Sequence, residues 1–339
     1  MNQLIDNFGR EISYLRVSIT DRCNYRCIYC QPEKPFSFTP HQEILRYEEM
    51  VEIIEEAVKL GISKVRITGG EPLVRKGVLN FIRQLKKIKK LKDISLTTNG
   101  FFLDEYASKL KSAGLNRVNV SLDSLQEEKY RKITRGGSLE KVLKGIHSAI
   151  KAGLLPIKIN TVVMKGVNDD EIDDFVKLTL KNKVNIRFIE FMPTTDKLIN
   201  EYENSFISVL KIRDYLIKRH LLKPLKIYTN NGPAKYYQIN GAKGTVGFIT
   251  ALSQHFCENC NRIRLTSDGK IRPCLFSNKE IDLKSEIRNS EKLNINTPYL
   301  RKKLIQEKII EAVKLKPARH KLNTKIKENV SFQMSRIGG

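Results

Sequence analysis

Between residues 14 and 192, short β-branched runs alternate with longer stretches whose apolar residues recur every three to four positions. The β-branched runs at 15–20, 64–68, 93–97, 117–122, 156–163 and 185–191 read as strands. The intervening segments at 47–60, 79–91, 104–113, 139–152 and 170–180 carry helical periodicity. Gly61, Gly114 and Gly153 stand just beyond the last periodic turn of three of these helices, where a left-handed residue closes a helix. The pattern therefore predicts six successive βα units. Spacing alone does not decide between a barrel two strands short of closure and an open doubly wound sheet.

After Pro193 this rhythm ends in a polar loop, a helix expected around 208–220, and strand-like runs at 235–239 and 245–250. Thr266-Ser267-Asp268-Gly269-Lys270 lies between apolar runs at 262–265 and 271–274. Its Asp-Gly pair is a hairpin signal that would return Cys274 towards Cys257 and Cys260. A long helix is expected at 298–315, followed by a tail ending Ile337-Gly338-Gly339.

The 339 residues can bury a sizeable core, and a composition 29% charged and 40% hydrophobic excludes a disordered or collagen-like chain. A formal charge of +24 favours polyanions: nucleic acid, an anionic membrane surface or a phosphorylated substrate. Solvated helix faces, such as that carrying Lys86, Lys87, Lys89 and Lys90, account for it equally well. No apolar stretch approaches the roughly 20 residues of a membrane span, and Met1 to Asp6 lacks the features of a leader, so a cytoplasmic protein is expected. In a reducing compartment, six cysteines grouped three and three read as metal ligands.

Cys23, Cys27 and Cys30 follow the first strand, at the end where active sites of parallel α/β folds gather. Three thiolates hold three irons of a [4Fe–4S] cube and leave the fourth open to a ligand. A zinc site completed by His41 is the alternative. Cys257, Cys260 and Cys274 form a second trio that suits either another open cube or a structural zinc site with His255. Arg262 and Arg264 alternate beside it, on one side of a strand, as a pair suited to phosphate.

The C-x₃-C-x₂-C loop, with Tyr29 before its last cysteine, and Gly69-Gly70-Glu71-Pro72 after the second strand resemble the radical S-adenosylmethionine (SAM) superfamily. One family within it is resembled from Arg10 to Gly339: the GTP 3′,8-cyclases of molybdenum cofactor biosynthesis. The resemblance is carried by Leu15 to Cys23, Val65 to Pro72, Leu96 to Gly100, Arg187 to Pro193, the second cysteine block and the terminal Gly338-Gly339.

This resemblance implies a partial (βα)6 TIM-type barrel over residues 1–200. A C-terminal extension over 201–339 would carry a second [4Fe–4S] cluster and the Gly-Gly tail. It implies SAM contacts at Tyr29, Gly70, Glu71, Ser121 and Met192, and GTP contacts at Arg16, Arg66, Thr97, Lys158, Arg262 and Arg264. Gly338 and Gly339 would insert into the site and, with the arginine pair, serve catalysis. The implied reaction is that of a lyase: SAM is cleaved reductively, H3′ of GTP is abstracted, C3′ attacks C8, and the resulting aminyl radical takes up an electron and a proton to give (8S)-3′,8-cyclo-7,8-dihydroguanosine 5′-triphosphate. Implied partners are cyclic pyranopterin monophosphate synthase and an electron donor such as flavodoxin or ferredoxin. A homodimer is compatible with it, and neither a membrane nor a specific nucleic acid is expected. Contacts from residues 197–237, which align less readily, stay unassigned.

A radical SAM peptide-modifying enzyme with an auxiliary cluster is a rival that the arginine pair and the Gly-Gly tail disfavour. A zinc-stabilised nucleic-acid-binding module is another, motivated by the charge.

Overall fold

The computed structural model describes residues 3–32, 37–193, 204–225, 232–292, 298–322 and 334–338. Six strands, β1 (Tyr14–Ser18), β2 (Lys64–Thr68), β3 (Asp93–Thr98), β4 (Arg117–Ser121), β5 (Ile157–Val163) and β6 (Val184–Glu190), each lie parallel beside their predecessor. That sequential order, without a reversal point, is the order of a barrel and not of a doubly wound sheet. The sheet does not close: its outermost strands at the two ends remain unpaired with each other.

The extension adds to both edges of this sheet. β9 (Thr245–Ile249) runs parallel to β6, and β10 (Arg262–Leu265) runs parallel to β1, so eight parallel strands stand side by side. The Asp-Gly hairpin forms as expected, with Arg264 opposite Arg272 on the antiparallel β11 (Lys270–Arg272). β7 (Lys223–Pro224) and β8 (Lys235–Gln238) finish the other edge, and β12 (Ile281–Asp282) follows β11.

Helices α1 (Tyr47–Lys59), α2 (Val78–Lys86), α3 (Leu103–Ala113), α4 (Glu127–Thr134), α5 (Leu139–Lys151) and α6 (Ile172–Lys181) connect the first six strands. Their apolar faces form one continuous core with the sheet, typified by Leu139, Val142, Ile146 and Ala149 on α5. Gly145 inside α5 has a packing reason: a Cβ there would lie 2.8 Å from the Gly100 carbonyl oxygen and 2.9 Å from Leu103 Cβ at the start of α3. Gly61, Gly114 and Gly153 all take positive φ, as their positions beyond helix ends predict.

Three differences from the sequence pattern have physical causes. The helix expected to reach residue 91 ends at Lys86. Lys86, Lys89 and Lys90 would repel at helical spacing, and the chain continues in looser turns from Gln84 to Leu91. The helix expected from 170 begins at Ile172, because the Glu171 carboxylate is drawn out to accept from Ser124 Oγ (2.8 Å) and the Leu125 amide (2.6 Å). Helix α4 escapes the sequence pattern, since its mean polarity hides a buried stripe of only Tyr130, Ile133 and Thr134.

The described helices of the extension are α7 (Val209–His220), close to its expected place, Lys284–Lys292, the long Pro298–Lys314 helix, which lies against α1, and the short Met334–Ile337. Among the described residues no helix is long and apolar enough to cross a membrane.

Candidate functional site

Parallel register stacks basic side chains before any loop is considered. Arg264 of β10, Arg16 of β1 and Arg66 of β2 are neighbours in one row, and Arg262, Tyr14 and Lys64 form the next. Because alternate residues share a face, all six line one cavity of about 690 Å³ inside the partial barrel. Thr97, Lys158, Gly70, Ser121, Met192 and Tyr29 line the same cavity, as do all six cysteines. The predicted residues therefore converge, with three exceptions: Glu71 and Gly338 stand behind the cavity wall, and Gly339 falls outside the described residues.

The loop bearing Cys23, Cys27 and Cys30 is clamped from two sides. On one side, the amides of Arg26 and Ile28 donate to the carbonyls of Thr134 and Ile133 at the end of α4 (3.2 and 2.9 Å). Arg135, in the left-handed cap of that helix, adds bonds from its guanidinium to the carbonyls of Arg26 and Gln31. On the other side, the amides of Gly70 and Glu71 donate to the carbonyls of Thr20 and Arg22 (2.7 and 2.9 Å). The glycine pair is needed for this approach, because a Cβ on Gly70 would sit 2.2 Å from the Arg22 carbonyl oxygen.

Glu71 fixes the next strand instead of facing the cavity. Its carboxylate accepts from the Leu73 amide (3.0 Å), Thr98 Oγ1 (2.9 Å) and the Asn99 amide (2.7 Å), tying the loop after β2 to the end of β3. Burial nevertheless pushes its pKa up to about 7 against those bonds. Tyr29 donates its hydroxyl to Asp123 Oδ2 (2.6 Å), and Asp123 also accepts from the Val162 amide (2.8 Å). This partner of Tyr29 gives no signal in the sequence, because a lone Asp after a strand resembles any turn residue.

Cys260 differs electrostatically from the cysteines of the first trio. Burial raises Cys23 to about 11 and Cys30 to about 12 and also holds Cys27 well above the ordinary thiol range, with nearby carboxylates and thiols adding to it. Metal loading of that loop must therefore expel protons. Cys260 is instead brought down to about 6: burial would raise it, but the positive charges of Arg262 and Lys316 prevail.

Geometry bears on which metal each trio fits. Among the described residues, the single group of three ligand side chains whose donor atoms lie within 4.8 Å of one another is His255, Cys257 and His320. Neither cysteine trio closes to the spacing of one shared ion, as expected when each thiolate serves a different corner of a cube. His41, the other zinc candidate, is exposed on a turn and does not line the cavity. His255 stacks on His320 with ring centroids 4.1 Å apart, beside Cys257.

The rest of the cavity is prepared for an anion. Burial first, then Arg187, Arg117 and Arg66, lower Lys158 to about 6. The carboxylates on its wall are occupied elsewhere: Asp123 as above, and Glu190 by the amides of Leu252 (2.7 Å) and Ser253 (2.9 Å). Tyr14 Oη, Thr97 Oγ1, Asn160 Oδ1 and Arg262 Nε are buried there with no hydrogen-bond partner among the described residues. Orphaned polar atoms facing one cavity mark a place for a polar ligand. Tyr14, Lys64 and Asn160 join the site without any signal in the sequence, because their inward direction depends on strand register, and Arg187, the first residue of a motif that carries the resemblance, joins it without having been assigned a contact.

The tail reaches the edge of this region. The Gly338 carbonyl accepts from Arg264 Nη1, and the Gly338 amide donates to the Met334 carbonyl (2.8 Å). Gly338 has φ of 81°, and a Cβ would meet Thr68 Cγ2 at 2.3 Å, so only glycine fits over the end of β2.

Known proteins agree with this arrangement. A family profile described as Radical SAM superfamily matches residues 17–179, and one described as Molybdenum Cofactor Synthesis C matches residues 184–322. The GTP 3′,8-cyclase of Petrotoga mobilis is 48% identical over 339 residues, covering 99% of this chain and 100% of its own length. That of Peptoclostridium acidaminophilum is also 48% identical, covering 99% of this chain and 98% of its own. Among solved structures, native anSMEcpe with bound AdoMet superposes with a TM-score of 0.56 at 17% identity, covering 92% of this chain and 93% of that one. Streptococcus suis SuiB bound to S-adenosylmethionine gives 0.55 at 15% identity, covering 81% of this chain and 62% of its own, a likeness of fold alone. With full-length identity of this order, and a cavity that gathers both cysteine trios and the arginine rows, the chain belongs to the GTP 3′,8-cyclase family of the radical SAM superfamily.

Proposed function

We propose that this enzyme converts GTP to (8S)-3′,8-cyclo-7,8-dihydroguanosine 5′-triphosphate, the first step of molybdenum cofactor biosynthesis. The observation that carries it is the meeting of two cysteine trios across one cavity whose floor is a double row of strand-borne cations. When bound, a [4Fe–4S] cluster with SAM at Cys23, Cys27 and Cys30 supplies a carbon-centred radical, and a second cluster at Cys257, Cys260 and Cys274 offers an open iron.

The protein's own work is placement. Tyr29, Gly70, Ser121 and Met192 form the SAM end of the cavity, and Arg16, Arg66, Thr97, Lys158, Arg262 and Arg264 receive GTP. A triphosphate brings negative charge to these cations, and guanidinium pairs bind it through paired donors. Arg264 also holds Gly338 beside the cavity, which supports insertion of the terminal Gly338-Gly339 next to the substrate. The enclosing barrel keeps water from the reacting carbon.

An electron donor of the flavodoxin or ferredoxin kind feeds the reaction, and cyclic pyranopterin monophosphate synthase consumes the product. The setting is cytoplasmic, and a homodimer is compatible with this reading.

The decisive experiment is anaerobic incubation of the reconstituted enzyme with GTP, SAM and dithionite. A product of GTP mass that needs SAM, formed with 5′-deoxyadenosine, is expected. Turnover of SAM without any change in GTP would refute the substrate.

Lys158 links binding to pH. In the free protein its folded pKa of about 6 leaves it neutral at pH 7.5, and a phosphate beside it restores the charge, so binding takes up a proton. Affinity for GTP should fall as pH rises above about 6. Calorimetry in two buffers of different ionisation enthalpy should show up to about one proton absorbed at pH 7.5, and no uptake would exclude Lys158 from the phosphate site.

A further inference from the structure

Lys316 is a buried cation that the reaction as described does not use. It is 3% exposed, and lysine at that depth is ordinarily paired with a carboxylate. Among the described residues it has none within ion-pair distance. Its Nζ instead donates to the Arg262 carbonyl (2.8 Å), the Pro273 carbonyl (2.9 Å) and Cys260 Sγ (3.5 Å).

These three partners use all three hydrogens of the ammonium, so none is left for a substrate phosphate. They also have a common position. Arg262 follows Cys260 on β10, and Pro273 precedes Cys274 after β11, so the ammonium stands where the two limbs carrying those cysteines converge. One interaction therefore sets the separation of two ligands and places a positive charge on one of them.

The approach of Lys316 is fixed from behind. The Pro298–Lys314 helix buries Ile305, Ile309, Ala312 and Val313 and closes with the Lys316 amide donating to the Val313 carbonyl (3.1 Å). The next two carbonyls, of Pro317 and Ala318, accept from the two ends of the Arg10 guanidinium (2.7 and 2.9 Å). Arg10 also donates to the Cys257 carbonyl (2.7 Å) and is itself held by Asp6 (2.6 Å). The third cysteine is thus tied to the same short segment, through the N-terminal residues of the chain.

We infer that Lys316 is the positioning residue of the second cluster: held by the carbonyls of Arg262 and Pro273, its ammonium donates to the Cys260 sulfur and raises the reduction potential of the bound [4Fe–4S] centre. The inference rests on the reading that Cys257, Cys260 and Cys274 hold such a cluster. A cluster gains negative charge when it takes up one electron, so a cationic donor at one of its sulfurs stabilises the reduced form more than the oxidised form.

The test uses the full chain carrying Cys23→Ser, Cys27→Ser and Cys30→Ser, so that any iron belongs to the second trio. Iron, sulfide and zinc are measured after anaerobic reconstitution, and the midpoint potential is read by electron paramagnetic resonance during redox titration. About four irons are expected in this parent. Zinc in their place would refute the cluster itself, and this inference with it, before any lysine variant is made.

Lys316→Met and Lys316→Gln are expected to lower the reduced-to-oxidised ratio at the parent's midpoint about tenfold, a shift of about 59 mV to more negative potential for this one-electron couple. An unchanged midpoint in either variant with full iron would overturn the proposal. If both variants fail to hold iron, Lys316→Arg decides: restored loading supports a requirement for the charge, and failure to restore it makes the lysine a packing residue and refutes the role.

Discussion

Arg264→Ala is expected to lower formation of the cyclised nucleotide by about 10²–10³-fold, with iron content and the binding of SAM unchanged. Three observations combine in this residue. It stands in the row with Arg16 and Arg66, it is 6% exposed with its guanidinium facing the cavity, and it holds the Gly338 carbonyl. Burial first, then the neighbouring Arg262, lower its pKa to about 10, so it remains charged at neutral pH while sharing space with other cations. That crowding disfavours the empty cavity and is relieved by a polyanion. Alanine removes a phosphate donor and releases the tail together. Removing Gly338 and Gly339 alone should give the tail's share of the loss, measured as cyclised product per 5′-deoxyadenosine formed. An Arg264→Ala enzyme with undiminished turnover would show that neither contact matters.

Gly70→Ala should be severely damaging to the first cysteine loop. Its Cβ would lie 2.2 Å from the carbonyl oxygen and 2.6 Å from the carbonyl carbon of Arg22, both backbone atoms that no rotamer change can move aside. Relief requires separating the Gly69–Pro72 turn from the cysteine loop and breaking the amide bonds that join them (2.7 and 2.9 Å). Overpacking of this kind costs about 1–3 kcal/mol even where side chains can adjust. The expected outcome is a folded protein retaining about four irons, those of the second cluster, with reductive cleavage of SAM lost. Circular dichroism and iron analysis separate this from simple unfolding. Full SAM cleavage would mean that the close approach has no bearing on the first cluster.

How much can be read from sequence differs by residue type. The cysteines and the glycine motif announce themselves because their spacing lies within one loop, where chain geometry alone limits the outcome. The six barrel strands are legible for a related reason, since β-branched runs alternate with amphipathic ones. Tyr14, Lys64 and Asn160 are not legible as site residues, because which way a strand residue points depends on register with strands distant in sequence. Glu71 shows the converse difficulty. Its motif is plain, but only packing reveals that its carboxylate is consumed by Leu73, Thr98 and Asn99. Lys316 is hidden among the excess lysines, and the burial that distinguishes it comes from the fold alone.

Tyr14 pairs with Arg262, and Asn185 pairs with Thr245. The outer edge of β1 therefore has no partner on a ribosome until most of the chain has been made. A nascent chain of six βα units displays two raw strand edges and an open mouth, the state in which parallel sheets are slow to mature and prone to wrong pairing. The first cysteine loop emerges early and is complete within that open form, whereas the second trio, Lys316 and the tail arrive with the strands that seal it. The first cysteine loop is thus synthesised, with every strand of its own half, before the last third of the polypeptide supplies the strands that flank the cavity.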